Sequence, residues 1–172
     1  MPASHSAGGG TKIHNCEPNA LPESRCHIRW ATLDDLSSLM AVEKDASPAA
    51  HWSLEQNQSA CSESGPPRIL LVIEEDATLQ GFLVARAVDH EWEIENLAIA
   101  APARRRGLGA RLLGHILELV RRRPGAAVFL EVRESNRAAR GLFEQCGFIE
   151  SGRRTNYYRH PEEDAVTYTA RI

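Results

Sequence analysis

Between Trp92 and Gly109 the chain reads WEIENLAIAAPARRRGLG, and no other stretch restricts the possible folds as much. Trp92 and Ile94 alternate on even positions, whereas Leu97 and Ile99 alternate on odd ones. Side chains of a strand repeat every two residues, so the change of phase requires one extra residue near Glu95–Asn96. That is the pattern of a β-bulge, which bends a strand and re-aims its backbone groups. The strand then meets a turn carrying Arg104, Gly107 and Gly109, and an apolar helix follows at once. This order makes an anion cradle, because the first N–H groups of a helix are unpaired and its dipole favours negative charge. Gly107 and Gly109 present no side chain to obstruct a pyrophosphate, and the arginines add charge.

The rest of the chain supplies one substantial core around that element. A length of 172 residues predicts one domain, over 27–172, preceded by a disordered tail over 1–26 rich in Gly, Ser, Pro and Asn. The net charge of −3 gives no global reason to expect nucleic acid as a partner. Arg121–Arg123 and Arg153–Arg154 read as solvated surface, whereas Arg104–Arg106 lie in the cradle. Four cysteines lie far apart, with no C-x-x-C pair, and the histidines lack ligand spacing. No metal site is expected, and the thiols read as reduced in a cytoplasmic protein. Cys146 falls on an apolar helix face, as a core residue. No apolar run is long enough to span a membrane, and the N-terminus lacks the apolar segment of a secretory signal. A monomer is the expected state.

HIRWAT reads as a first strand, and Leu33–Lys44 as a helix capped by Thr32, with Leu33, Leu36, Leu39, Met40 and Glu43 at helical spacing. Ser53–Ala60 suggests a second short helix, and Gly65–Pro66–Pro67 breaks the chain. Ile69–Glu74, Leu79–Val88 and Glu91–Ile99 predict an antiparallel meander, turning at ATLQG and DHE. Gly107–Arg123 predicts the central helix, its stripe set by Leu108, Leu112, Ile116 and Leu119 and widened by Leu113, Leu117 and Val120. Ala127–Val132 is the next strand. A helix capped by Ser135 or Asn136 runs to Cys146 and stops at Gly147, and strands near Ile149–Arg159 and Ala165–Arg171 close the sheet.

A bulged strand entering an Arg-x-x-Gly-x-Gly turn and a helix resembles the acetyl-CoA site of the GCN5-related N-acetyltransferases. The resemblance implies an α/β (α+β) fold: a mixed, mostly antiparallel six- to seven-stranded sheet, helices on both faces and a bulged central strand. LEVRESNRAARGLFEQCGF, from Leu130 to Phe148, and GRRTNYYRHPEEDAV, from Gly152 to Val166, look like the branch of ribosomal-protein-alanine N-acetyltransferases. SPAAHWSLEQ resembles that branch's Phe-Pro-x-x-Trp-Ser loop, with Ser47 in place of Phe. The likeness spans roughly residues 27–172. It implies acetyl-CoA as co-substrate and a protein N-terminus, of a ribosomal protein, as acceptor.

The reaction is attack by an amine on a thioester, through an oxyanion, with loss of thiolate. A cationic amine cannot attack, so a base or a water relay must take its proton. Glu131 is the candidate. Phe129, Glu131 and Arg133 share one face of their strand, and a carboxylate beside Phe129 is expected to be partly desolvated, with a raised pKa. The alternative is a strand-end Glu paired with Arg133. The matching family residue is assigned as proton acceptor. The resemblance sets Leu97, Ala98 and Ile99, through backbone groups, against the pantetheine amides and acetyl carbonyl, where an N–H can stabilise the oxyanion. It sets Arg105, Arg106, Gly107, Leu108, Gly109 and Ala110, beside Arg104, at the pyrophosphate. Asn136 matches a cofactor contact and is equally a helix cap. Trp52, Tyr157 and Tyr158 match the peptide groove, although strand alternation predicts one tyrosine in the core. Glu162, Glu163 and Asp164 either attract a basic peptide or form a solvated loop.

One departure concerns the leaving group. The branch carries Leu-Tyr-Glu in its last helix, and that Tyr is assigned as the acid for the thiolate. Here the segment is Leu142–Phe143–Glu144, and Phe143, against the cofactor, has no proton to give. A thiol of pKa near 8.5 leaves tolerably without full protonation, so the cost is at the low end for a lost acid. Water, Tyr157 or Tyr158 could substitute. Two other functions stay open: transfer to a lysine or small amine, and an acetyl-CoA-binding module with weak or lost catalysis.

Overall fold

The computed structural model describes residues 26–46, 68–122 and 127–172. Trp52, the short helix expected at Ser53–Ala60, the chain break at Gly65–Pro67 and residues 1–25 lie outside these. The first strand, β1 (Cys26–Trp30), starts with buried Cys26, one residue ahead of the expected boundary. A 3-10 turn (Leu33–Asp35) leads into α1 (Leu36–Asp45). Thr32 stands at the cap, where its backbone N–H donates to Asp35 Oδ2 at 2.7 Å. The buried face of α1 is Leu39, Val42 and Glu43, whereas Leu33 and Met40 are exposed.

β2 (Arg68–Glu75), β3 (Thr78–Val88) and β4 (Glu91–Ile99) form the expected antiparallel meander. Their first turn is Asp76–Ala77, not ATLQG. Both residues have positive φ, 49° and 59°, the signature of a two-residue hairpin whose twist matches the strands. Thr78–Gly81 therefore belong to β3. α2 (Leu108–Arg121) crosses to β5 (Ala127–Arg133), which lies parallel to β4. α3 (Arg137–Gln145), β6 (Ile149–Arg159) and β7 (Glu162–Arg171) follow. The seven strands are ordered β1-β2-β3-β4-β5-β7-β6, so β7 inserts between β5 and β6.

Helices cover both faces. Leu39 and Val42 of α1 pack on Leu70, Val72, Phe82, Val84 and Ala98. On the other face Leu112, Leu113, Ile116 and Val120 of α2 pack with Leu71, Ile73, Leu83, Trp92, Ile94 and Leu130, and with Phe143 of α3. Leu117 and Leu119 only flank this stripe, because the 3.6-residue period carries the buried row through Leu112, Ile116 and Val120. Cys146 packs against the same core, and burial pushes its thiol pKa up, which leaves it unsuited to act as a nucleophile.

α3 is fixed at both ends. Asn136, not Ser135, caps it, accepting from the Ala139 N–H at 3.1 Å. At the C-terminus Gly147 takes φ +87°, Gly147 N–H donates to Glu144 O, and Phe148 N–H donates to Phe143 O at 3.0 Å. This is a Schellman closure, completed by the Phe143–Phe148 ring contact at 5.9 Å.

Candidate active site

β4 and β5 part company in mid-sheet. Trp92, Glu93 and Ile94 pair with Val128, Phe129 and Leu130, and the parallel pairing ends there. On the opposite side β4 stays paired with β3 as far as Ile99, but Val84 faces Asn96 while Ala85 faces Ile94. Glu95 is the extra residue, so the bulge lies where the phase change requires it. Its consequence is visible in the core: Trp92 and Ile94 face α2, Leu97 and Ile99 pack on that same side, and Ala98 turns to α1. Beyond Ile94 the β5-facing edge of β4 pairs with no strand among the described residues. Its backbone groups there are open to water or a ligand.

A cleft of about 400 Å³ opens at this divergence. Leu97 lines it from β4, Glu131 from β5, Asn136 and Phe143 from α3, and Tyr157 and Tyr158 from β6. The structure thus brings together six of the expected site residues. Ala98 is instead buried against α1, and Ile99 packs toward α2. Trp52 lies outside the described residues.

The Glu131 carboxylate sits on the exposed face of β5, its side chain only 18% accessible. Its partner is Arg154, whose Nη1 lies 3.0 and 3.3 Å from the two oxygens. Arg133 does not pair with it, because its guanidinium is engaged elsewhere. Arg133 instead reaches Glu163 at 3.3 Å and stacks 4.1 Å over Tyr158. The Tyr157 phenol lies beside Glu131, and burial together with that carboxylate holds its pKa above the ordinary value, so the phenol keeps its proton. Burial does the same for Tyr158. Both tyrosines line the cleft, contrary to simple alternation, because β6 is irregular between Arg154 and Tyr158. Asn156 there has φ +52°, and its N–H is held by Asp164 Oδ1 at 2.9 Å. Glu163 accepts from the Ser135 N–H, which holds its carboxyl below the usual range. Glu163 and Asp164 are therefore structural, not free to attract a peptide.

The cradle is backbone-built. Gly107 takes φ +77° at the N-cap of α2, and Arg105 before it has φ +62°, an uncommon state for a side-chain-bearing residue. The first helical bond runs from Arg111 N–H to Gly107 O at 3.1 Å, so the N–H groups of Leu108, Gly109 and Ala110 point outward. The arginine side chains depart from expectation. Arg104 bridges Ile99 O at 3.1 Å and Asp45 O at 2.6 Å, and Arg106 pairs with Glu75 at 2.5 Å. Of these three arginines, Arg105 alone has no side-chain hydrogen bond or ion pair among the described residues. Gly109 has a packing reason: a Cβ there would lie 2.9 Å from Leu142 of α3.

Sequence reasoning did not single out Glu93 and Glu95, which also line the cleft. Arg86 pairs with Glu93 at 2.5 Å, and Arg68 holds Glu95 at 3.0 Å. The signal was present as Glu91-x-Glu93-x-Glu95, alternating with the core residues. His115 and His160 are both exposed surface residues.

A free strand edge, a cleft beside it and outward N–H groups at a glycine cap suit a long amide-bearing thioester that ends in a pyrophosphate. Comparison with known proteins agrees. Residues 22–148 match the Acetyltransferase (GNAT) family. The chain is 35% identical over 129 residues to the ribosomal protein bS18-alanine N-acetyltransferase of Salmonella typhimurium, covering 69% of this chain and 86% of that one. It is 31% identical over 144 residues to a Bacillus subtilis protein named, as putative, for the same activity, covering 84% and 94%. The crystal structure of the ribosomal-protein-S18-alanine N-acetyltransferase from Escherichia coli superposes with a TM-score of 0.76 at 30% identity, covering 86% of this chain and 94% of that one. With the family match spanning most of its length, the chain belongs to the GNAT family of acetyl-CoA-dependent acetyltransferases.

Proposed function

We propose that this enzyme acetylates a protein N-terminus, that of an alanine on a small-subunit ribosomal protein, with Glu131 as proton acceptor. The observation that carries the reading is Glu131 itself: a carboxylate set in the cleft where β4 and β5 separate, facing the unpaired β4 edge. The relatives named for bS18 support the acceptor. The thioester lies along the edge of Leu97–Ile99, whose backbone N–H groups meet the developing oxyanion. The pyrophosphate rests on the N–H groups of Leu108–Ala110, with Arg105 adding charge. The α-amino group enters from the side of Tyr157 and Tyr158 and gives its proton to Glu131, directly or through water. With an ordinary amine pKa near 8, a carboxylate base of modest strength is enough. Arg154 occupies Glu131 before the acceptor arrives and yields a carboxylate oxygen to the incoming amine.

Phe143 favours a second reading, a cofactor-binding protein of weak catalysis, because no hydroxyl stands at that position. Release of CoA thiol separates the two. The acceptors are a basic peptide with a free N-terminal alanine, its N-terminally blocked form, and a polyamine. Turnover with the free alanine terminus alone is expected. Turnover with the blocked peptide or the polyamine alone points to a lysine or small-amine enzyme. CoA binding without turnover on any acceptor points to the binding module.

A further inference from the structure

α1 buries a carboxyl in an apolar wall. Glu43 is 3% exposed, next in sequence to Val42 of the core cluster formed with Leu70, Phe82 and Val84. Its Oε1 accepts a hydrogen bond from Asn96 Nδ2 at 2.9 Å, and Asn96 is itself 4% exposed. Asn96 directly follows the bulged residue Glu95 and directly precedes Leu97. The same end of α1 makes a second tie: Asp45 O accepts from Arg104, which also donates to Ile99 O. The last turns of α1 therefore hold β4 at both ends of the segment 96–99, the segment that has left β5.

A bulge is a register choice. Moved by one residue along β4, it would exchange the faces of the residues between, and Leu97, Ala98 and Ile99 are all apolar and discriminate weakly. A buried carboxyl discriminates more strongly, because a shifted Asn96 breaks that bond. Replacing both partners of a buried polar pair by apolar groups of the same shape is often neutral or stabilising, so stability alone does not account for the pair, whereas specification of register does.

We infer that Glu43 is a positioning residue for acetyl transfer: through Asn96 it pins the bulge and so aims the free backbone edge of Leu97–Ile99 at the thioester. This inference rests on the acetyl-transfer reading of the cleft. Its test uses the full chain and four variants: Glu43→Met, Glu43→Gln, Asn96→Asp, and the exchanged pair Glu43→Gln with Asn96→Asp. The readouts are CoA affinity by calorimetry, kcat and KM with the alanine peptide, and the melting temperature. Glu43→Met leaves the buried Asn96 amide without this acceptor, so it should melt lower than wild type, and while folded it should lose about tenfold or more in kcat and in CoA affinity, as expected when a reacting geometry is misplaced. Glu43→Gln keeps an acceptor oxygen for Asn96 and should stay within about threefold of wild type. Asn96→Asp sets two carboxyls together and should be impaired, and the exchanged pair, which restores one donor and one acceptor, should recover. Wild-type kcat and CoA affinity in Glu43→Met overturn the inference. So does an exchanged pair no better than Asn96→Asp, which also covers poor folding of the methionine variant. If the wild-type protein binds CoA but acetylates nothing, the functional reading fails, and the pattern of CoA affinities still decides the pin.

Discussion

The proposed chemistry of the cleft turns on two residues. Glu131, the proposed base, lines the cleft, and its pair with Arg154 holds the carboxylate in place. Replacing it with Gln keeps the shape and removes the proton acceptor, so kcat should fall by about 10²–10⁴ while CoA affinity is unchanged. A rate profile equal to wild type would remove Glu131 from the mechanism. Phe143 is 5% exposed and locked by the helix closure, with its ring 5.9 Å from Phe148 and 6.1 Å from Tyr168. The Tyr168 hydroxyl does not stand in for the missing acid, because it is buried and donates to Glu144 at 2.7 Å. Phe143→Tyr should therefore raise kcat, by no more than about 10²-fold, since thiolate is a tolerable leaving group. An unchanged kcat would mean that leaving-group protonation is not limiting.

At the scale of elements, the distant end of the sheet is joined by one cation. Arg29 of β1 bonds Asp35, ahead of α1, at 2.7 and 2.8 Å, and also Glu74 of β2. The guanidinium lowers the Asp35 pKa from its ordinary 3.8 to about 2. A lowered pKa stabilises the fold above the unfolded value, and that contribution is lost as pH falls from about 4 toward 2. Its size is roughly 2 kcal/mol at most, the side chain being 11% exposed. Urea midpoints should therefore separate wild type from Asp35→Asn at pH 6 and converge near pH 2. A second element-level prediction concerns Gly81, where a Cβ would lie 2.5 Å from Ile99 Cδ1 and 2.7 Å from Ala98 O. Gly81→Ala must push the far end of β4, costing about 1–3 kcal/mol and weakening CoA binding, both readable by melting and calorimetry. The meander and the bulge were legible because apolar residues repeat every two positions and any lapse of that period shows. The roles of Arg104, Arg106 and Glu43 were not, because their partners Asp45, Glu75 and Asn96 come from other segments. Glu43 stood at an apolar-face position in α1, which marks it as unusual without naming what it meets. The placing of Tyr157 and Tyr158 on one side depends on the β6 irregularity, which no apolar alternation announces.

For the molecule as a whole, the decisive property is that its sheet is two sheets joined at a short seam. β1–β4 form one antiparallel half and β5, β7 and β6 the other, and three residue pairs, Trp92–Val128 to Ile94–Leu130, link them. Beyond the seam the halves diverge, and α2 and α3 close one face through contacts such as Gly109 against Leu142. A ligand lying along the free β4 edge, with its phosphates on the start of α2, restores contacts across the divergence that the chain alone leaves unmade. Such a ligand binds the folded state and not the unfolded one, so it must raise the melting temperature. At about 100 times its Kd the gain is roughly 2.7 kcal/mol. For a chain of this length that corresponds to about 5–10 °C. CoA and acetyl-CoA should both give it, and Glu131→Gln should give the same shift as wild type because the proposed base does not hold the cofactor. Gly81→Ala should give less, since it moves the β4 segment on which the thioester is proposed to rest. Melting curves with and without CoA decide the matter before any acceptor is known: no shift in the wild-type protein would mean that the gap between β4 and β5 does not hold CoA.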